Sequence, residues 1–384
     1  MPGAVISWLI MTAEVVRRSI LFVSAALLLS LVLFYSSSPR PSNVADTLPS
    51  HLTDAEFWQI INDFSEPGGY FRSENLLSNE SGYQNVIPSL RKTLPRGGVY
   101  LGVGPEQNFT YIVSLEPEMA FIVDIRRQNM LEQLFYKALM ETAADRAEFL
   151  ARLFSRPARQ LGPDTRPAEL LGAYESEQGS LNLLERNVTG AIEYLEEKKG
   201  FRLSGEDEAG IRHVAQAFFD SGPNLSYTFT GGYGGFMGMP TYSELVTESD
   251  GVSKNWNFLA TEDQFKAIQR LQKNNLIVPL VGDFAGPKAI RSVAKYVQEH
   301  GGTVRAFYTS NVEQYLFQDD NNWKRFYENV SVLPLDSTST FIRYVLTAGG
   351  FRPRRSLTAP MYDTVRAYRA GRIREYRDAI SLSW

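Results

Sequence analysis

The stretch Val99–Asp124, VYLGVGPEQNFTYIVSLEPEMAFIVD, decides the fold. Val99–Val103 is a short apolar run flanked by glycines, and Met119–Asp124 is a second one that ends in an acid. Apolar runs of this length without polar alternation read as strands buried on both faces. Between them Gly102-x-Gly104 opens a helical stretch to about Leu115, which Pro117 breaks. Strand, glycine turn, helix and strand make a βαβ unit, so the strands are parallel and the crossover is right-handed. Gly104 and Asp124 lie about twenty residues apart, the interval between a nucleotide-binding glycine turn and a ribose-binding acid. Glycines let backbone approach a ligand, the helix start offers free N–H groups, and the carboxylate can accept two hydroxyls. Gln107 stands where a third glycine would be, and Glu106 would repel a pyrophosphate. The spacing therefore favours a ligand with little or no phosphate.

Working outward, Tyr227–Thr230, Leu276–Val281, Val304–Thr309 and Val330–Leu335 read as further strands. Helical patterns cover Ala55–Phe64, Ile125–Phe154, most of residues 157–222, the stretch after Thr261 and Lys288–His300. Ser204 with Asp207 forms a capping-box pattern ahead of the helix through Phe219. Asp336–Thr340 reads as a cap for a helix over Phe341–Leu346, or as a hydroxyl-binding turn. Together these predict an α/β fold with a doubly wound, mostly parallel sheet, covered on both faces. One domain spans residues 52–346, with a helical insertion at about 155–222. An Arg-rich segment, 347–384, follows without a clear pattern. Ligands of such sheets bind outside the carboxyl ends of the strands. Asp124, Asp283 after Leu276–Val281, and Asn311 with Tyr308 after Val304–Thr309 are expected to meet there. Asn79 and Glu80, in the irregular polar segment Tyr70–Pro88, are further candidates. The loop Gly231–Gly238 lacks the Lys-Ser/Thr of a phosphate loop and reads as a lid or an aromatic insertion.

Composition narrows the chemistry. The chain has 384 residues, no cysteine, three histidines and a net charge of −4. Without thiols there is no disulfide, thiolate metal site or cysteine nucleophile. His51, His213 and His300 are far apart, so no metal site is expected. No basic block suggests a nucleic-acid partner. The first forty residues stand apart. Arg17 and Arg18 precede the uncharged run Ser19–Tyr35, about 17 residues, the lower limit for a bilayer span. A cleaved signal and an uncleaved anchor compete, and Pro39 directly after Ser36–Ser38 favours the anchor. Residues 1–18 are then a cytosolic N-terminus, 19–35 a single-pass transmembrane helix and 36–51 a Pro/Ser linker. The positive charges place the bulk of the chain outside. The sequence does not specify an oligomeric state.

Several runs resemble a bacterial family of uncharacterised proteins with a methyltransferase-like Rossmann core. They are EPGGYFRSENLLSNESGYQ (Glu66–Gln84), LGVGPEQNFTYI (Leu101–Ile112), FIVDIRRQN (Phe121–Asn129), VGDFAGPKAI (Val281–Ile290), FYTSNVEQYLF (Phe307–Phe317) and LDSTSTFIR (Leu335–Arg343). More distantly, the chain is similar to class I S-adenosylmethionine-dependent methyltransferases. That resemblance implies S-adenosylmethionine as cofactor, with Gly102, Gly104 and Asn108 at its methionine end and Asp124 at its ribose. It implies Asp283 facing the substrate. If the chain transfers a methyl group, Asp283, Asn79 or Glu80 is expected to orient the acceptor and either acid to take its proton, with Tyr308 and Asn311 at the substrate. A cytosolic domain would follow, against the charge rule. The sequence departs from the pattern at three places: no acid precedes the first glycine, the third glycine is missing, and no Asn/Asp-Pro-Pro-Tyr follows Val281. The alternative expectation is a membrane-tethered domain of the same fold that binds a small molecule without turnover. A nicotinamide-dependent oxidoreductase is a third, resting only on the glycine–acid spacing.

Overall fold

The computed structural model describes residues 47–227, 239–345 and 355–384. A six-stranded sheet has β1 (Val99–Gly102), β2 (Met119–Asp124), β3 (Ile277–Val281), β4 (Val304–Ser310), β5 (Thr340–Val345) and β6 (Arg355–Pro360) in the order β3-β2-β1-β4-β5-β6. The first five strands are parallel, and β6 runs antiparallel to β5. This is the Rossmann-like, mostly parallel arrangement expected from the βαβ spacing. Every residue of β1, β2 and β3 is buried, because helices cover both faces. Pro279 fits within β3 because β3 is an edge strand, where a missing N–H deprives no neighbour.

Fifteen helices are described: α1 (Asp54–Phe64), α2 (Ile87–Thr93), α3 (Gln107–Leu115), α4 (Arg127–Thr142), α5 (Arg146–Leu153), α6 (Pro167–Glu175), α7 (Leu181–Glu193), α8 (Gly205–Ser221), α9 (Tyr242–Thr247), α10 (Glu262–Lys273), α11 (Ala289–Glu299), α12 (Val312–Leu316), α13 (Asn322–Val330), α14 (Met361–Arg369) and α15 (Tyr376–Ile380). Helices α6, α7 and α8 fall within residues 155–222. The capping box at Ser204 and Asp207 opens α8. Helices α7 and α8 pack against α4, and thirteen residues of that helix are buried. Lys137 on α4 is buried but fully used. Its Nζ reaches Glu141 at 2.5 Å, Gln272 O at 2.6 Å and Asn275 Oδ1 at 2.6 Å. Burial lowers its pKa to about 8.

Four expectations are corrected. The helix expected over Ile125–Phe154 is two, α4 and α5, because Asp145 caps the second by accepting Glu148 N–H at 2.8 Å. Val330–Leu335 is not a strand. It is the end of α13 and a turn, because the strand beside β4 is supplied by β5. Phe341–Leu346 is not a helix, since residues up to Val345 are β5. The Arg-rich terminal segment carries β6, α14 and α15. Of Tyr227–Thr230, Tyr227 is not in a strand and the rest lies outside the described residues, as does Gly231–Gly238. No helix among the described residues is long and apolar enough to cross a membrane, and the anchor expected over residues 19–35 lies outside them.

Candidate functional site

Strand order reverses between β1 and β4, and the carboxyl ends of these two strands part to leave a crevice. It is a cavity of about 160 Å³. Gly104, Asp124, Asp283, Asn311, Asn79 and Glu80 all line it, so the structure brings these six expected residues together. Gly104 has φ 81°, a left-handed conformation that costs glycine little. At Gly102 a Cβ would run into the Asn108 amide. Asn108 itself does not line the crevice. It is fully buried, and its Nδ2 donates to the carbonyls of Val103 (2.9 Å), Gly104 (3.2 Å) and Pro105 (2.8 Å). Its Oδ1 accepts Tyr100 O–H at 2.9 Å. Asn108 thus holds the glycine turn in shape and has nothing left for a ligand.

Asp124 ends β2 as expected, but its carboxylate is already occupied. It accepts the Arg126 backbone N–H at 2.9 Å, and the Arg126 guanidinium approaches at 3.3 Å and 3.4 Å. Arg126 also donates to the carbonyls of Ser73 (3.0 Å) and Glu74, tying the segment before Asn79 to the sheet edge. Nothing in the FIVDIRRQN pattern distinguishes this arginine from a surface one. Asp283 accepts Ala285 N–H at 2.9 Å and forms the turn after β3. Behind that turn Glu66 accepts the N–H groups of Lys288 (2.7 Å) and Ala289 (2.8 Å), capping the start of α11.

Glu80 is the most unusual group. It is 1% exposed, and its Oε1 accepts the Ser310 hydroxyl. Its Oε2 has no hydrogen-bond partner. Burial pushes its pKa up to about 7, against the opposing effect of hydrogen bonds from Ser310 and Tyr308. Tyr308 does not line the crevice. It backs Glu80 from the core, its hydroxyl accepting Gln107 Nε2–H at 2.9 Å. Ser310 was not among the expected site residues. The register of β4 against β5 slips between Tyr308 and Ser310, and Ser310 has φ 51°. Bulges and left-handed non-glycine residues re-aim side chains at some energetic cost, and here they turn the Ser310 hydroxyl toward Glu80. Phe71, Tyr227 and Tyr315 supply aromatic walls.

The charge of the crevice is lopsided. Among the described residues, Glu80, Asp124 and Asp283 line it against the single cation Arg126, which Asp124 neutralises. No lysine lines it. Among the described residues no group of three or more His, Asp or Glu is placed to hold a metal ion. His213 is on the surface, 3.2 Å from Glu74 Oε1, and His300 caps α11 at its C-terminus, so neither enters the crevice.

The chain belongs to the family described as Domain of unknown function (DUF7790), whose model matches residues 76–161 and 167–367, more than half of its length. No curated protein matches the chain.

Proposed function

We propose that this chain binds a small neutral or cationic organic molecule in the crevice between β1 and β4, with Glu80 as the group that exchanges a hydrogen bond or proton with it. The observation that carries this reading is Glu80, a buried residue lining a cavity at the strand-order reversal, whose Oε2 has no hydrogen-bond partner. A buried unpaired acceptor costs about 1–3 kcal/mol, and a ligand donor would repay it. A carboxyl with pKa about 7 can also give or take a proton near neutral pH. The surplus of acid argues against phosphate-bearing ligands, nicotinamide dinucleotides included. Asp283, Asn311 and Asn79 would orient the ligand. An anchor at residues 19–35 would hold the site at a membrane surface.

Methyl transfer from S-adenosylmethionine is the second reading. The Gly104 turn and the acidic crevice favour it, since a sulfonium is cationic. The methyl group would pass from sulfur to the acceptor, leaving a neutral thioether, and Glu80 would take the acceptor's proton. Asp124 could hold the ribose only after releasing Arg126. Calorimetry of the folded full-length chain with S-adenosylmethionine, S-adenosylhomocysteine and adenosine tests both readings. Binding of the first two, weakened by Glu80→Gln, supports methyl transfer. No heat with any of the three removes it and leaves the binding reading to a wider set of small amines and alcohols.

A further inference from the structure

Beyond the crevice a second group of buried side chains is short of partners. Helices α3 and α4 follow β1 and β2 with the same crossover sense, so they lie side by side on one face of the sheet. Phe109 of α3 and Tyr136 of α4 meet edge to face, ring centroids 5.6 Å apart. Glu106 stands one turn before Phe109, and Glu132 one turn before Tyr136. Glu106 acts electrostatically on Glu132, and both carboxyls act on Tyr136 and Tyr242, so the four groups are near neighbours. Tyr136 also meets Phe218 of α8 at 5.9 Å, and Phe218 meets Tyr242 of α9 at 6.0 Å.

Glu106, Glu132, Tyr136 and Tyr242 are each at least 96% buried, with exposures of 4%, 1%, 0% and 0%. Glu106 Oε2, both oxygens of Glu132 and the hydroxyls of Tyr136 and Tyr242 have no hydrogen-bond partner among the described residues. Arg126 is the cation whose field reaches Glu132, but its guanidinium is spent on Asp124 and two carbonyls. Burial raises Glu106 to about 8. Burial, then the neighbouring Glu106, raises Glu132 well above the usual carboxyl range. Native proteins leave few buried polar atoms unpaired, and a cluster of five calls for a missing partner.

The missing partner must supply several donors and positive charge. A primary ammonium has three N–H donors, and the rings of Phe109 and Phe218 attract a cation. A hard divalent metal is a poorer match, because it wants six or more oxygen ligands and two carboxyls fall short. We propose that Glu106, Glu132, Tyr136 and Tyr242 form a receptor for the primary ammonium group of a small organic amine. The burial of all four side chains, none more than 4% exposed, restricts the amine to a short stem. It stands independently of the crevice reading.

Thermal unfolding of the full-length protein tests it, with ethylammonium, ethanolamine and tetramethylammonium chlorides each set against sodium chloride at equal ionic strength. At about 20 mM the two primary amines are expected to raise Tm by several degrees, as ligands that bind the native state do. Tetramethylammonium, which has no N–H, is expected to give no shift. Glu132→Gln and Glu106→Gln should abolish the shift and Tyr242→Phe should weaken amine binding about tenfold, while Arg166→Gln, at an exposed pair outside both sites, should keep it. The proposal is overturned if neither primary amine stabilises the wild type, if tetramethylammonium does so equally, or if the shift survives in Glu132→Gln. Should the glutamine variants not fold, the wild-type amine series and Tyr242→Phe decide it.

Discussion

Glu313 and Glu80 are both buried carboxyls beside the carboxyl end of β4, and the chain treats them in opposite ways. Glu313, 2% exposed, meets Arg343 at 2.6 and 3.0 Å and accepts Tyr327 O–H at 2.6 Å. Arg343 in turn donates to Ala379 O at 3.2 Å and Ser383 Oγ at 3.0 Å, so the pair pins α15 and the residues after it to β5. Glu80, equally deep, has hydroxyls beside it, no cation, and one oxygen empty. The first carboxyl belongs to the architecture. The second is a group the fold supports at a cost, and such groups gather where ligands bind.

The largest expected effect comes from breaking the complete pair. Arg343→Met leaves Glu313 buried and unpaired, and should cost about 3–5 kcal/mol in urea unfolding. Glu80→Gln should do the reverse at alkaline pH. Glu80's pKa is raised from 4.5 to about 7 in the folded state. Its contribution to stability is therefore full below pH 4.5 and is lost as pH rises through 7. The wild type should lose about 3 kcal/mol over that window relative to Glu80→Gln. Unfolding curves of both proteins from pH 4 to 8 check this; parallel curves would mean that Glu80 is already paired. Asp124→Asn probes an intermediate case. It weakens the lock on Arg126 and should cost about 1–3 kcal/mol. Arg166→Gln, at the exposed pair with Glu169, should leave Tm unchanged, as surface pairs contribute little.

The same contrast explains what could be read from the sequence. Apolar runs, glycines and prolines mark β1, β2, β3 and the turn at Gly104, because backbone geometry and two-sided burial demand those residues. The rule that ligands sit at strand carboxyl ends then brings Asp124, Asp283 and Asn311 together without knowledge of any contact. Occupancy is another matter. That Arg126 closes on Asp124, or that Asn108 spends its amide on the turn, depends on side-chain partners that spacing does not encode. Ser310 escapes notice because a one-residue bulge re-aims it. Strand β5 reads as a helix because Asp336–Thr340 resembles a helix cap, and the burial of Arg343 within it rests on Glu313, thirty residues away in sequence. Val330–Leu335 misleads in the other direction, its short apolar alternation being the end of α13. Glu80 lies in a segment with no periodicity, so its burial left no trace in the pattern.

The most direct test of the crevice is thermal unfolding of wild type and Glu80→Gln, side by side, against one panel of adenosine, S-adenosylmethionine, S-adenosylhomocysteine and small hydroxyl- and amine-bearing compounds. The account predicts at least one compound that raises the wild-type Tm by several degrees and leaves Glu80→Gln unmoved. If no compound stabilises the wild type, or every stabilising compound acts equally on Glu80→Gln, the crevice around Glu80 is not the ligand site of this chain.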